Sequence, residues 1–177
     1  MTGVVDWATG RARMILAFVL LSLPAGWLAY SGLPKEGEPD LAVPGAADDI
    51  RAFSEIAMEQ GGRKVVLLSG RGVTEAEEAE QVVAESGLDW TFVRAAWFSQ
   101  NFSEGEFAQM IRDGVIALPM GDAVEPIVDV DDIAEVVAAS LTDAHHNGET
   151  FDVTGPEALT HKQIATELSN ATGRQVQ

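Results

Sequence analysis

The sequence predicts an α/β fold built on a parallel sheet, and three observations carry that prediction. Stretches of strand length and stretches of helical spacing alternate through most of residues 46–177. Lys64-Val-Val-Leu-Leu-Ser69 is a continuous apolar run of strand length, the pattern of a parallel strand buried on both faces. Helix-start signals of the Ser/Thr-x-x-Glu/Gln kind recur at Thr74 with Glu77, Ser103 with Glu106 and Thr160 with Gln163.

The elements follow in order. Trp27-Leu-Ala-Tyr30 reads as a short strand closed by Ser31-Gly32-Leu33-Pro34, and Lys35 to Pro44 reads as a loop. From Ala46, the apolar positions Ile50, Phe53, Ile56 and Ala57 keep helical spacing until Gly61-Gly62 stops the helix. Strand Lys64–Ser69 comes next, then a helix from the Thr74 box to Ser86-Gly87, then strand Trp90-Thr-Phe-Val-Arg94. The Ser103 box opens a helix carrying Phe107, Met110 and Ile111. Val115–Leu118 and Ile127–Val130 are short strand expectations, and Asp131 or Asp132 starts the helix Ile133–Leu141. Glu149–Thr154 is the last strand, and Thr160 with Gln163 caps the last helix.

Composition narrows the function classes. A hydrophobic fraction of 46% argues against disorder, and 177 residues suit one domain with a sizeable core. The net charge is −17, and residues 35–177 carry −18 of it, because residues 1–34 hold only Asp6, Arg11 and Arg13. A field of that sign repels phosphate backbones, and no local basic patch offsets it, so nucleic acid is not an expected partner. Cysteine is absent, which excludes thiolate catalysis and disulfides and is compatible with a cytoplasmic protein. His145-His146 lacks a third ligand at sensible spacing and reads as a solvated loop, so no metal is expected. Asp129, Asp131 and Asp132 read as a helix N-cap group, where carboxylates meet free N–H groups and the helix dipole.

Residues 1–34 form a separate apolar segment. No charge occurs from Met14 to Pro34, and Arg11 and Arg13 precede the run, as in a signal peptide or membrane anchor. Pro24 and Gly26 interrupt it, and no small-x-small cleavage site follows, so a buried or non-native segment is the preferred reading. Membrane attachment is the alternative.

Residues 35–177, most clearly from Pro39 onward, resemble the later half of an NmrA-like atypical short-chain dehydrogenase. The resemblance rests on an ordered set: Arg63-Lys-Val-Val-Leu-Leu-Ser-Gly70, then Ser86-Gly-Leu-Asp-Trp-Thr-Phe-Val-Arg-Ala-Ala-Trp-Phe98 with Gln100-Asn101-Phe102. Pro126-Ile-Val-Asp-Val-Asp-Asp-Ile-Ala134 and Phe151-Asp-Val-Thr-Gly-Pro156 complete it. Within the family, the chain is most similar to bacterial members related to the ergot-alkaloid-biosynthesis reductases, with azo- and quinone-reductase-like proteins as neighbours. The resemblance implies the C-terminal half of a Rossmann-like parallel sheet with a small substrate-binding part. It implies NADP or NAD as cofactor and a small organic molecule as substrate.

In open α/β sheets, ligands sit beyond the carboxyl ends of the strands. Ser69-Gly70-Arg71-Gly72 follows one strand end and Arg94-Ala95-Ala96-Trp97-Phe98 the next. The family places the nicotinamide between these turns, with Ser69, Gly70, Arg71, Arg94, Ala95 and Ala96 on the cofactor and Trp97, Phe98 and Asn101 toward substrate. Read from the residues alone, the glycines could simply make a tight turn, Arg94 could pair with a carboxylate, and Trp97 and Phe98 could be core.

The chain departs from the family's pattern in two ways. Tyr30 is the only tyrosine, and Pro34 stands where the Lys of Tyr-x-x-x-Lys would be, so that proton relay is excluded and no catalytic residue is assigned. The Gly-rich phosphate loop has only an echo, Trp7-Ala-Thr-Gly10-Arg-Ala-Arg13, in which Trp7 and Arg13 replace two glycines. The reading is therefore an N-terminally truncated NAD(P)H-dependent oxidoreductase-like protein. The alternative is a non-catalytic NAD(P) sensor or an inactive fragment. Truncation would leave the sheet with an open apolar edge, covered by Met14–Leu23 folding back as a strand or helix, covered by a second chain in a homodimer, or left open in a marginal, aggregating chain.

Overall fold

The apolar run at residues 64–70 becomes the strand around which the first of two units is organised. The computed structural model describes residues 4–7, 14–17, 46–105, 107–118, 121 and 123–177. The chain divides into residues 1–94 with 135–152, and residues 95–134 with 153–177. The expected strand Trp27–Tyr30, the loop at residues 35–44 and the apolar run beyond Ala17 lie outside the described residues.

In the first unit, β1 (Val4–Trp7) and β2 (Met14–Ala17) form an antiparallel hairpin. Helix α1 (Ala46–Glu59), β3 (Lys64–Gly70), α2 (Thr74–Ala84) and β4 (Asp89–Ala95) follow. Helix α5 (Val130–Thr142) and β6 (Glu149–Val153) return the chain to a parallel three-stranded sheet of order β3-β4-β6. β2 lies alongside β3. The β1-β2 hairpin is a sheet of its own, not joined to β3-β4-β6 by the strand order, and the rest of the run expected to fold back lies outside the described residues. Among the described residues, no helix is long and apolar enough to cross a membrane.

Both faces of β3 are buried, as its unbroken apolar run requires: Val65 to Leu68 are each at most 8% exposed. Side chains alternate along a strand, so Val65 and Leu67 share one face. That face packs against Ile50 and Ala57 of α1, Ala79, Val82 and Val83 of α2, and Phe92 of β4. Gly61, at φ +79°, closes α1, with Gly62 N–H returning to Ala57 O at 2.8 Å, so the paired glycines stop the helix as expected. Ile56 departs from the expected apolar stripe and is exposed.

The second unit holds α3 (Gln100–Ser103), α4 (Ala108–Asp113), the two-stranded antiparallel pair β5 (Val124–Glu125) and β7 (Leu159–Thr160), and α6 (His161–Thr172). Its core joins Phe102, Ile111, Ile116, Ile164, Ala165 and Val176. The Thr160–Gln163 capping box forms as predicted: Thr160 Oγ1 accepts from Gln163 N–H, and Gln163 Oε1 accepts from Thr160 N–H at 2.9 Å. Thr160→Ala should cost about 1 kcal/mol and Thr160→Ser much less, measured by chemical unfolding. Equal stability of the two variants would show that the hydroxyl does not cap the helix.

Other expectations are corrected. Thr74 is the first residue of α2 rather than its cap; Val73 holds the cap position, and no side chain caps the helix. Glu77 turns to Arg94 instead, at 3.7 Å. Ser103 ends α3 rather than opening a helix, and its hydroxyl donates to Gln100 O. Val115–Leu118 is not a strand: Val115 N–H donates back to Met110 O of α4, and Ile116 N–H donates to Gln177 O. Residues 127–130 supply only an isolated parallel bridge, Phe98 with Val128, before α5 begins at Val130. The α5 cap is one turn position earlier than expected, with Asp129 Oδ1 accepting from Asp131 N–H at 2.9 Å.

Candidate functional site

Ser69 and Arg94 both stand near the carboxyl ends of parallel strands of the first unit, where ligands of α/β sheets bind. Alternation places Ser69 on the face of Val65 and Leu67, which carries α1 and α2. The Ser69 hydroxyl is fully buried and has no hydrogen-bond partner among the described residues. Buried hydroxyls are seldom left so, because an unmet one costs about 1–3 kcal/mol. Gly70 follows with its Cα against Val73, whose Cγ2 would lie 3.0 Å from an added Cβ. Gly72, at φ +73° with open space around it, turns the chain into α2. Arg71 projects from this turn half-exposed, with its Nε 3.7 Å from Asp152 Oδ2 at the end of β6.

Arg94 is engaged differently. Its Nε and Nη2 donate to both carboxylate oxygens of Glu80 at 2.6 to 3.2 Å, and Glu80 is 5% exposed at its side chain. These bonds hold the guanidinium above its already high ordinary pKa. Pairing with a carboxylate is thus what the Arg94 side chain does among the described residues. The pair lines a groove of about 340 Å³ together with Glu77, Gln81, Thr150 and the stacked rings of Trp90 and Phe92, whose centroids are 4.1 Å apart.

The remaining expected residues belong to the second unit. Ala95 and Ala96 are buried, and Ala96 N–H donates to Val153 O at 3.1 Å. Trp97 N–H donates to Glu125 Oε1 at 2.9 Å, and its ring packs on Phe107 with centroids 5.7 Å apart. Trp97 is therefore partly a core residue of its unit. Phe98 is half-buried beside Val128. Asn101 lies in α3, 8% exposed; its backbone accepts from Phe107 N–H at 3.0 Å and donates to Phe98 O at 3.1 Å. Gly105 makes this fold possible, because an added Cβ would meet Asn101 Cα at 2.7 Å.

Sequence reasoning missed the groups that hold these turns. Ser99 and Gln100 both donate to Asp129, at 3.1 and 3.0 Å, and Gln100 Oε1 accepts from Val130 N–H. The Asp131 N–H and the Gln100 amide hold the Asp129 carboxyl below the ordinary carboxylate range. Their stabilising effect is present at neutral pH and lost only as pH falls through that lowered value. An Asp before a helix signals the cap, but nothing local signals Gln100 as its partner. His145 is an exposed side chain set against Asp143 Oδ1 at 2.7 Å.

Residues 45–144 match the NAD(P)H-binding family model, which covers more than half of the chain. The chain belongs to the NAD(P)H-binding family. It is 41% identical over 100 residues to an NAD(P)H azoreductase of Xenophilus azovorans, covering 56% of this chain and 34% of that protein. It is 31% identical over 145 residues to agroclavine dehydrogenase of Claviceps fusiformis, covering 77% and 48%. Among solved structures, it is similar to an NADPH-dependent quinone oxidoreductase complexed with NADPH from Escherichia coli. That match has 27% identity and a TM-score of 0.64, over 76% of this chain and 50% of that one. The fold is accordingly Rossmann-like. The chain spans half the length, or less, of these relatives.

Proposed function

We propose that this chain is the nicotinamide-side and substrate-side half of an NAD(P)H-dependent reductase acting on a small organic molecule in the cytoplasm. The single observation carrying this reading is the Ser69 hydroxyl, buried and unpaired at the carboxyl end of β3 in a member of the NAD(P)H-binding family. Relatives are named as an azoreductase, a quinone oxidoreductase and an agroclavine dehydrogenase, and the substrate proposed here is likewise a small reducible organic molecule. The residues fit the nicotinamide end of the cofactor. Ser69 offers a hydroxyl, Gly70 and Gly72 let the backbone come close, and Arg71 supplies a positive charge.

When bound, the reduced nicotinamide supplies hydride. The chain's own contribution is binding and orientation, since no Tyr-x-x-x-Lys pair exists to relay a proton. In this proposal Gly70 and Arg71 approach the cofactor with Ser69, and the Arg94 side chain fixes the end of β4 through Glu80. Ala95 and Ala96 supply backbone on the cofactor side. Trp97 and Phe98 supply apolar surface for the substrate, and Asn101 a carboxamide.

The second reading is a non-catalytic NAD(P) sensor or inactive fragment. It is favoured by Trp7 and Arg13 standing where the phosphate loop has glycines. Loss of two charge-assisted bonds to the pyrophosphate would weaken binding by about 3–6 kcal/mol, a factor of about 10² to 10⁴. NADPH titration by calorimetry, paired with NADPH oxidation in the presence of menadione, separates the readings. The expected result is weak binding, near millimolar, with slow turnover. Ser69→Ala should then lower kcat/KM about tenfold or more while leaving the melting temperature unchanged or raised. No NADPH binding at millimolar concentration would overturn the reductase reading, and a dissociation constant in the low micromolar range would overturn the expected cost of the missing glycines. Sedimentation of the same samples tests for the homodimer.

A further inference from the structure

The turn at residues 97–101 is held from a stretch 30 positions further along the chain, within the same unit. Val128 N–H donates to Trp97 O and Ser99 N–H to Val128 O, both at 2.8 Å, which makes the parallel bridge of Phe98 with Val128. Side chains extend that pairing. Asp129 accepts from the Ser99 hydroxyl at 3.1 Å and from the Gln100 amide at 3.0 Å. The other end of the same carboxamide, Gln100 Oε1, accepts at 3.2 Å from the N–H of Val130, the first residue of α5. Glutamine can donate and accept at this length; glutamate could only accept and would face Asp129 with like charge, and methionine forms neither bond. The Gln100 carbonyl accepts in turn from Glu104 N–H at 3.0 Å and Gly105 N–H at 2.9 Å, closing α3. Gln100 thus ties α3 to Asp129 and to the start of α5. Asn101 follows it directly, 8% exposed, and its carboxamide has no hydrogen-bond partner among the described residues. Buried polar groups are seldom left so.

We propose that Gln100 and Asp129 are positioning residues that lock the 97–101 turn, so that Trp97, Phe98 and Asn101 meet the substrate already ordered. The inference rests on the reductase reading, because that reading gives those three residues a substrate. Gln100 and Asp129 touch no substrate themselves; each acts through the turn it holds. A turn without the lock must be ordered when the substrate binds, and that ordering is subtracted from affinity. Asp129 is exposed, and a polar bond at the surface replaces one to water with little net gain in stability. The lock should therefore show in substrate binding far more than in melting.

Asp129 also caps α5 through Asp131 N–H, so the variants must separate cap from lock. Asp129→Ser keeps a capping oxygen but cannot reach both Ser99 and Gln100. Asp129→Asn keeps a carbonyl oxygen at the lock. Gln100→Met removes the lock and leaves the cap alone. The probe is menadione with the full chain, its binding followed by quenching of tryptophan fluorescence with oxidised NADP present, so that nothing turns over. Gln100→Met and Asp129→Ser should each weaken menadione binding about tenfold, and the double variant no further, because both break the same lock. Asp129→Asn should recover most of the binding. In NADPH oxidation, the KM for menadione should rise with a smaller change in kcat, while the KM for NADPH stays at the wild-type value. A merely structural network makes a different prediction, with lower melting temperatures and with menadione and NADPH affected alike or not at all.

A Gln100→Met variant that binds menadione as wild type does, a double variant whose loss is the sum of the single losses, or a parallel loss of NADPH affinity would each overturn the proposal. So would a wild type that binds no menadione. Failure of the reductase reading looks different: wild type binds menadione, Gln100→Met does so more weakly, and NADPH is never oxidised. That result refutes the reductase and keeps the lock. Wild type that oxidises NADPH with menadione, beside a Gln100→Met variant of unchanged KM, refutes the lock and keeps the reductase.

Discussion

Gly155→Ala is expected to destabilise the second unit by about 3–5 kcal/mol, more than any other single methyl group added to a described glycine. Gly155 lies just after β6 and donates its N–H to Pro126 O at 2.9 Å. A Cβ there would fall on Ile127 O, nearer than real Cβ atoms come to any heavy atom, and Ile127 C would be 3.0 Å away. Both obstacles are backbone, so no rotamer change relieves the clash; the two segments must separate and lose their hydrogen bond. Gly148→Ala is the informative control. It has open space but φ +77°, so it should cost only about 1–2 kcal/mol of conformational strain. Urea unfolding followed by tryptophan fluorescence compares the two. A Gly155→Ala variant as stable as Gly148→Ala would show that the close approach is not a constraint.

Arg94→Ala should cost about 3 kcal/mol, the lower end for breaking a buried pair, because the Arg94 side chain is 29% exposed while Glu80 is 5% exposed. Most of that loss comes from leaving the Glu80 carboxylate buried without its partner, rather than from losing attraction. Arg94→Met with Glu80→Leu should therefore recover most of the stability that Arg94→Ala loses, since two apolar side chains would extend the surface of Trp90 and Phe92. A double-mutant cycle in urea measures the coupling. Arg94→Ala within 1 kcal/mol of wild type would place the pair among ordinary surface salt bridges, which contribute roughly 0–1 kcal/mol.

How much was legible in the sequence depends on the range of the interactions involved. Strand β3 was readable because an apolar run buried on both faces is a local pattern, β6 because Phe151 and Val153 alternate with exposed Thr150 and Asp152, and the α6 capping box because its partners are three residues apart. The box expected at Thr74 failed for a non-local reason: Glu77 is drawn to Arg94, on another element. Arg94 was expected either at the cofactor or against a carboxylate, but nothing in the sequence identified Glu80, fourteen residues earlier, as the partner. Val115–Leu118 has strand-like composition, yet the Val115 N–H is taken by Met110 O at the end of α4 and the Ile116 carbonyl meets the His161 ring, partners that composition does not reveal. Of the candidate site, the position of Ser69 at a strand end was readable. Its unpaired hydroxyl was not, because that depends on what the neighbouring helix fails to supply.

The first unit is assembled from two separate stretches, residues 1–94 and 135–152, and this has a consequence for synthesis. The β3-α2-β4 segment is contiguous and can close as soon as it leaves the ribosome. The strand that flanks β4 on its other side arrives about 60 residues later. At about 5–20 residues per second, the growing chain carries β4 with one side unsatisfied for roughly 3–12 s. Throughout that interval the apolar Trp90-Thr-Phe-Val stretch is available to other nascent chains or to a chaperone. Yield in cells should thus follow the rate at which the intervening segment is translated more closely than the equilibrium stability of the finished sheet.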